Sequence, residues 1–263
     1  MSDLVRIFFI GDIVGKPGRI AVRELLPDIM QRYAVDIVIA NGENAAGGFG
    51  ITPAIAEELI GLKIDVITSG NHIWDKKEIT DYIKDKKWLL RPANYPEETP
   101  GFGWSIIKTN ANIKIGIINL CGRVFMDNLD CPFRAAREII KEIEHETPVI
   151  VLDMHAETTS EKAAMGWFLD GRISAVIGTH THVQTADERI LPRGTAFITD
   201  AGMTGSINSV IGMQKEIVLE RFLTQMPRKF EVATKDMVLQ GVLVSIASKS
   251  GKAEAIERVK VAL

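Results

Sequence analysis

Cysteine is scarce in this sequence, with only Cys121 and Cys131 among 263 residues. The two lack C-x-x-C spacing, and their count fits a reducing cytoplasm better than a disulfide framework. Long apolar stretches are missing as well. No run of about 18 apolar residues occurs, and the N-terminus has neither the basic nor the apolar region of a signal peptide. We therefore expect a cytoplasmic protein with no membrane partner.

An excess of basic residues is also missing, because the formal net charge at pH 7 is -3. Proteins that hold long nucleic acids usually present a strongly basic face, so no long nucleic acid is expected as a partner. Three sequence fingerprints are absent too. There is no G-x-G-x-x-G dinucleotide motif and no G-x-S-x-G hydrolase elbow, and Pro17 occupies the Ser/Thr position that a phosphate-binding P-loop requires.

The sequence does contain a regular alternation of strand-length apolar runs and helix-period segments over roughly the first 200 residues. This alternation is typical of a mostly parallel sheet that helices cover on both sides. The predicted strands of this part are 5–10, 35–40, 64–68, 149–153 and 173–177, with a hairpin over 104–109 and 113–119. The predicted helices are 17–33, 52–59, 76–84, 132–146 and 160–169.

Beyond Arg189 the sequence becomes rich in strand patterns, at 196–199, 229–233, 238–247 and 253–261. Antiparallel strands at this end suggest a second sheet packed on the first. No internal repeat, low-complexity segment or charge block divides the chain, and a chain of this length can build one substantial core. A single domain over residues 1–263 is therefore expected.

Metal-ligating side chains follow five predicted strands at the points where the strands end. These residues are Asp12, Glu43, His72, His155, His180 and His182. A parallel sheet delivers the C-terminal ends of its strands to one rim, so residues far apart in the sequence can meet there. Imidazole, carboxylate and amide oxygen suit Fe, Mn or Zn. The pattern therefore predicts a hydrolase with two metal ions.

Asn44 and Asn71 add neutral carbonyl oxygens, and the carboxylate of Glu43 could bridge two cations. With only Asp12 and Glu43 as anionic ligands, two divalent ions would leave a formal local charge of about +2, which favours a phosphate oxyanion. Each feature alone has another explanation, since Asp12 could cap the following helix and both asparagines could be turn residues. Five such groups at five strand ends in one chain favour a shared site.

Two neighbouring features have more than one interpretation. The glycine-rich stretch 45–50 could bring backbone N–H groups close to a phosphate, or it could form a flexible rim of the site. Asp75, shortly after His72, is expected at the start of a helix rather than among the metal ligands.

Five motifs follow one another along the chain: Gly11-Asp12, Gly42-Glu43-Asn44, Gly70-Asn71-His72, His155 and Gly178-Thr179-His180-Thr181-His182. Their order resembles the calcineurin-like metallophosphoesterase superfamily. Within that superfamily, the longer segments 9–15, 41–48, 68–75 and 199–205 are similar to the YmdB-type bacterial phosphodiesterases. The resemblance extends over essentially the whole chain.

This resemblance implies an α/β fold, a four-layer αββα sandwich in which helices flank two mixed β-sheets. It also implies two metal ions per chain, most commonly iron or manganese. The residues implied for one ion are Asp12, Glu43, Asn44 and His182. The residues implied for the other ion are Glu43, Asn71, His155 and His180.

The resemblance further implies that His72 is the general acid, which protonates the leaving oxygen when a metal-bound hydroxide attacks the phosphorus. The implied substrates are phosphodiesters, including 2',3'- and 3',5'-cyclic nucleotides. Two positions depart from the wider superfamily, in which an Asp-x-His motif comes first and an aspartate bridges the metals. Val14 occupies the histidine position and Glu43 the bridging position, as similarity to the YmdB-type branch implies.

Other functions remain open at this point. A phosphomonoesterase would use the same site, and the loops 47–50 and 91–103 would decide between the two activities. A signalling or scaffold protein with a little-used metal site is the alternative without catalysis, although every matched position holds a residue that can bind metal. A homo-oligomer is compatible with the resemblance, but no interface can be recognised in the sequence.

Overall fold

Two mixed β-sheets pack face to face in the structure, a computed structural model that describes residues 4–263. The strands are β1 (Leu4–Ile10), β2 (Asp12–Ile13), β3 (Ile37–Asn41), β4 (Val66–Thr68), β5 (Trp104–Lys108), β6 (Lys114–Cys121), β7 (Ile150–His155), β8 (Ala175–Thr179), β9 (Arg189–Ile190), β10 (Ala196–Ile198), β11 (Met203–Ser206), β12 (Met237–Ala247) and β13 (Ala253–Ala262). The strand order of the first sheet is β2-β11-β12-β1-β3-β4, and β13 also belongs to this sheet through its antiparallel pairing with β12. The order of the second sheet is β5-β6-β7-β8-β10-β9.

Helices cover the outer face of each sheet. The helices are α1 (Gly15–Tyr33), α2 (Pro53–Gly61), α3 (Ile79–Tyr82), α4 (Pro132–Ile143), α5 (Thr159–Leu169) and α6 (Lys215–Thr224). The first three pack on the first sheet, and α4 and α5 pack on the second. Within the described residues 4–263, no helix is both long and apolar enough to cross a membrane.

Three apolar cores separate the four layers. Along β1, Ile7 and Phe9 lie between the two sheets, whereas Phe8 and Ile10 pack beneath the helices of the first sheet. β7 alternates in the same way between the core shared by the sheets and the core beneath α4 and α5. Because both faces of these strands are buried, they appear in the sequence as continuous apolar runs. The four-layer αββα sandwich is thus confirmed.

The second sheet does not come from the C-terminal strands, as the sequence pattern had suggested. β12 and β13 extend the first sheet, because β12 pairs antiparallel to β1, with Ile7 opposite Val244. The second sheet is built instead on the predicted hairpin, β5 and β6, to which the parallel strands β7, β8 and β10 are added. Apolar patterning reports that a strand is buried but does not identify its partner.

Two local predictions differ from the structure, and one helix was not predicted. The helix predicted at 76–84 is reduced to α3, followed by the short 3-10 helix Ile83–Asp85. The sequence did not predict α6, in which Val218 is the one buried residue. The strand predicted at 229–233 is wrong. Val232 forms only an isolated bridge with Met213. Phe230 lines a cavity instead of packing in a core, so its apolar side chain does not indicate a strand.

Candidate metal centre and active site

Both sheets contribute strand ends to one rim of the molecule. In the first sheet, the parallel strands β1, β3 and β4 end shortly before Asp12, Glu43 and Asn71. In the second sheet, the parallel strands β7 and β8 end at His155 and just before His180. Because the sheets pack face to face, these polar side chains converge from two sides.

The first group of ligand atoms surrounds Nε2 of His155. That nitrogen lies 2.9 Å from Oε1 of Glu43, 3.1 Å from Oδ1 of Asn71 and 3.0 Å from Nδ1 of His180. Glu43, His155 and His180 offer ligand atoms that all lie within 4.8 Å of one another. Two imidazoles, a carboxylate and an amide oxygen form a donor set that suits a transition-metal ion.

The second group of ligand atoms surrounds Nε2 of His182. This nitrogen lies 3.7 Å from Oδ1 of Asp12 and 3.1 Å from the amide nitrogen of Asn44. The same amide nitrogen is 3.3 Å from Oε1 of Glu43, which therefore belongs to both groups. Turning the Asn44 amide over would present its oxygen at this position, because the two ends of the amide have nearly the same size. The seven predicted metal ligands thus form two groups that share Glu43.

Asp12 gives the most direct indication that a cation fits the second group. Its side chain is fully buried, and Oδ2 accepts a hydrogen bond of 3.2 Å from the backbone N–H of His180. The other oxygen, Oδ1, is buried without a hydrogen-bond partner among residues 4–263. Burial also raises the pKa of Asp12. An unpaired buried carboxylate oxygen costs free energy, and a metal ion between Asp12 and His182 would offset that cost.

Hydrogen bonds outside the two groups orient the ligand histidines. Thr179 donates its one hydroxyl hydrogen to Oδ1 of Asp153 at 2.7 Å. The 2.9 Å contact between Nδ1 of His155 and the Thr179 oxygen must therefore have the ring N–H as its donor. When the ring is neutral, Nε2 of His155 therefore carries the lone pair and directs it at the first group, as metal ligation requires.

His180 and His182 are oriented in the same way. Nε2 of His180 lies 3.0 Å from Oε2 of Glu157, so it donates to this carboxylate and leaves Nδ1 facing the first group. Nδ1 of His182 donates to the backbone carbonyl of Ile211 at 2.9 Å and leaves Nε2 facing the second group. All three candidate ligand histidines, when their rings are neutral, can therefore direct an unprotonated nitrogen inward.

The loop that carries these two histidines has an unusual backbone. His180 and His182 adopt φ angles of 98° and 65°, in the left-handed region that side chains disfavour. Such a conformation costs on the order of 1–3 kcal/mol per residue and persists only where surrounding contacts enforce it. Asp200 provides such contacts, because its Oδ2 accepts hydrogen bonds from the Thr181 backbone at 3.0 Å and from the buried Lys162 at 2.8 Å.

Charges within the first group compensate one another. Burial disfavours the charged form of Glu43. The charge and hydrogen bond of His155 outweigh this effect and lower the pKa of the Glu43 carboxyl to about 2. Burial likewise disfavours a charged His155, but Glu43 and Asp12 raise the pKa of its ring to about 9. Burial and the nearby His155 lower the pKa of His180 to about 3. The proton on His155 thus provides the positive charge that a metal ion would replace.

His72 lies beside the two groups rather than within them. Its backbone N–H donates to Oε2 of Glu43 at 3.0 Å, and its ring Nδ1 donates to Oδ2 of Asp75 at 2.9 Å. Phe49 contacts the ring edge-on, with centroids 5.1 Å apart. The bond to Asp75 fixes Nδ1 as a donor and leaves Nε2 facing the cavity that His72 lines. In the doubly protonated imidazolium form, Nε2 would carry the proton to be donated. This arrangement suits a general acid.

A cavity of about 620 Å³ opens onto the ligand groups. The predicted site residues that line it are Glu43, Asn44, His72, His180 and His182. Gly48 and Phe49 of the glycine-rich stretch line it as well, and its volume falls in the usual range of about 300–1,000 Å³ for small-molecule sites. Another cavity, of about 670 Å³, contains Lys87 and Arg91 but none of the predicted site residues.

Sequence reasoning missed the residues that support the ligands. Asp153 is buried in β7, where it accepts hydrogen bonds from Thr68 at 2.6 Å, Thr179 at 2.7 Å and Asn41 at 3.1 Å. Burial raises the pKa of Asp153 to about 7. An acid within an otherwise apolar strand was the available signal, because a buried carboxyl needs partners. Asp75, expected at a helix start, contacts His72 instead.

Comparison with known proteins decides the family. A family model described as YmdB-like protein matches residues 8–259. The chain belongs to the YmdB-like family. Membership in the YmdB-like family confirms the resemblance drawn from the five motifs, and with it the metallophosphoesterase type of fold.

YmdB-like relatives match this chain over nearly its full length. It is 52% identical over 255 residues to the 2',3'-cyclic-nucleotide 2'-phosphodiesterase of Bacillus subtilis (strain 168). The alignment covers 97% of this chain and 96% of that protein. A hypothetical protein from Thermus thermophilus superposes with a TM-score of 0.91 at 41% identity, covering 98% and 99% of the two chains. A protein from Mycoplasma pneumoniae described as a novel phosphatase superposes with a TM-score of 0.92 at 33% identity, covering 100% and 95%.

Proposed function

We propose that the protein hydrolyses small phosphodiesters, 2',3'-cyclic nucleotides foremost, with two bound metal ions and His72 as the general acid. The observation that carries this proposal is that seven ligand-type side chains form two groups sharing Glu43, beside a cavity that His72 also lines. Cyclic 3',5'-nucleotides are a second substrate class for the same site, because they present the same phosphodiester group.

The protein is a phosphodiesterase, a class supported by its family and by its near-complete match to the Bacillus subtilis enzyme. That relative is named for 2',3'-cyclic nucleotides. Because 52% identity extends over almost the whole of both chains, we transfer this substrate class to the present protein as part of the proposal.

We assign the metal ions, iron or manganese, to the two groups of ligand atoms. Asp12, Glu43, Asn44 and His182 would hold one ion. Glu43, Asn71, His155 and His180 would hold the other. When bound, such ions supply Lewis acidity at the phosphate and activate water as the nucleophile.

The remaining chemistry belongs to side chains of this protein. Asp153 and Thr179 keep Nε2 of His155 directed inward. Asp75 holds Nδ1 of His72, so that Nε2 can donate its proton to the leaving oxygen. In a cyclic nucleotide this oxygen is a ribose oxygen, whose departure as a bare alkoxide is unfavourable. A positioned proton donor therefore lowers the barrier.

The test is hydrolysis of 2',3'-cyclic AMP by the purified protein with added Mn²⁺ or Fe²⁺ and with a chelator. Turnover should require metal, and metal analysis should find two ions per chain. His72→Ala should lower kcat by about 10²- to 10⁴-fold, because it removes the general acid, and should retain the metal ions. His145→Ala is the matched control, since His145 is exposed and contributes to neither ligand group.

Each part of the proposal has an outcome that contradicts it. If neither metal supports turnover of 2',3'-cyclic AMP, the assignment of cyclic nucleotides as substrates is overturned. Loss of metal from His72→Ala would make His72 a ligand rather than the acid. The Mycoplasma pneumoniae relative is described as a phosphatase, so p-nitrophenyl phosphate is assayed in parallel, and faster turnover of this monoester would favour a phosphomonoesterase.

Three further expectations from the sequence stay predictions. They are a cytoplasmic location, a single domain over residues 1–263 and a homo-oligomeric assembly. A small phosphodiester is the partner that the proposed chemistry requires, and no contact with long nucleic acid or membrane enters it.

A further inference from the structure

Part of the cavity lining is apolar and comes from the segment 210–230, outside every motif that predicted the site. The relevant side chains are Met213, Val218, Phe222 and Phe230, with Arg221 and Gln225 as polar members. They line the same cavity as Glu43, His72 and His182. A molecule bound at the ligand groups therefore has this second surface within the same space.

Helix α6 presents one face to the cavity. Val218, Arg221, Phe222 and Gln225 recur at intervals of three and four residues, which places them on one side of a helix. Val218 is buried and anchors the helix, whereas Phe222 is 71% exposed. A largely exposed aromatic ring in a cavity wall gains apolar burial when a flat ligand covers it.

Arg221 adds a planar cation to this surface. Its guanidinium lies over the ring of Phe230, 4.8 Å from the ring centroid. Among the described residues 4–263, no carboxylate pairs with Arg221. A guanidinium stacked on an aromatic ring combines charge with a flat face, and both attract the π system of a second ring.

We propose that Phe222, Phe230 and Arg221 bind the nucleobase of the substrate while its phosphate lies at the ligand groups. This inference rests on the proposed function and specifies how the substrate is recognised. A base stacks on aromatic and guanidinium faces whatever its identity. The amide nitrogen of Gln225 already donates to the backbone carbonyl of Phe222 at 3.0 Å. The surface therefore holds purine and pyrimidine bases by stacking rather than by reading their edges.

The test compares a cyclic nucleotide with an analogue that has no base. The two substrates are 2',3'-cyclic AMP and 1-O-methylribose 2',3'-cyclic phosphate, assayed with the metal-loaded full chain. In Phe222→Ala, KM for the nucleotide should rise by about 5- to 150-fold, the range expected for the loss of one base–aromatic stack. In the same variant, kcat for the nucleotide should stay within about twofold of wild type. Both kcat and KM for the base-free analogue should also stay within about twofold of wild type.

Two variants control for unrelated effects on helix α6. Leu223→Ala alters the next residue, which is 84% exposed and does not line the cavity, and it should leave both substrates unaffected. Phe222→Tyr keeps the ring and should restore the wild-type KM. Arg221→Met should raise KM for the nucleotide and leave the analogue unaffected.

The outcomes separate this inference from the proposed function. An unchanged nucleotide KM in Phe222→Ala, or equal losses for both substrates, would overturn the base-binding role. If wild type turns over neither substrate, the proposed function fails, and binding of adenosine 3'-monophosphate by calorimetry becomes the readout. Weaker binding in Phe222→Ala than in Leu223→Ala then supports the base site, and equal binding overturns it.

Discussion

At the scale of single residues, His155 depends on a chain of two hydrogen bonds that lies outside the ligand groups. The Thr179 hydroxyl accepts a hydrogen bond from the ring N–H of His155 and donates one to Asp153. The chain fixes which ring nitrogen carries the lone pair, and such supporting contacts commonly contribute a factor of about 10–100 in metal affinity. If His155 binds metal as proposed, Thr179 is as much a part of that centre as the histidine that it orients.

Thr179→Val tests this dependence. The variant keeps the shape of the side chain but removes the oxygen, so we expect metal affinity to fall about 10- to 100-fold, measured by titration of the chelator-treated protein with Mn²⁺. Thr179→Ser keeps the hydroxyl and should bind metal as wild type does. Equal affinity in the valine and serine variants would show that the oxygen does not orient His155.

At the scale of elements, the turn after β4 brings the chain against the ligands with no room for a side chain. A Cβ atom on Gly70 would lie 2.2 Å from Cδ2 of His155 and 2.5 Å from Oε2 of Glu43. These separations are far below van der Waals contact. Glycine at this turn therefore allows β4 and β7 to place their ligands side by side.

Gly70→Ala should consequently displace His155 or Glu43. We expect weaker metal binding and a loss of about 1–3 kcal/mol in the free energy of unfolding, as for other overpacked sites. Metal content and thermal unfolding measure the two effects. Gly61→Ala is the matched control, because a Cβ there meets no atom within 4 Å. Wild-type metal binding in Gly70→Ala would contradict the close approach.

The strands that carry the candidate metal ligands could be predicted from the sequence, whereas the helix that carries Phe222 could not. β1, β3 and β7 are buried on both faces and therefore appear as apolar runs. Helix α6 buries only Val218, and its Leu219 and Leu223 are exposed. Its sequence therefore lacks the single apolar stripe by which an amphipathic helix is recognised.

At the scale of the whole molecule, we expect His155 to couple stability to pH and, through the proposed metal site, to metal. The folded chain raises the pKa of this ring from the usual 6.5 to about 9. Between these values the folded state holds a proton that the unfolded state has lost. The resulting stabilisation is fully present below pH 6.5 and is lost as the pH rises through 9.

The melting temperature of the chelator-treated protein should therefore fall from pH 7 to pH 9, with a loss of at most about 1.4 kcal/mol per pH unit. Saturating Mn²⁺ should abolish or reverse this slope, because the ion binds the unprotonated ring and its affinity rises as the proton leaves. Differential scanning calorimetry at several pH values measures both. His155→Asn should remove the slope without metal, and a slope unchanged in that variant would place the proton elsewhere.

The sequence by itself determined which residues are candidate metal ligands and which strands carry them. Strands that are buried on both faces appear as continuous apolar runs, and the residues that follow them form recognisable local motifs. Pairing leaves no such record, so only the tertiary structure decided that β12 and β13 join the first sheet and that β7 and β8 approach from the second. The orientation of His155 by Asp153, and the meeting of α6 with the ligand groups in one cavity, were decided there too, because contacts between distant segments arise only when the layers pack.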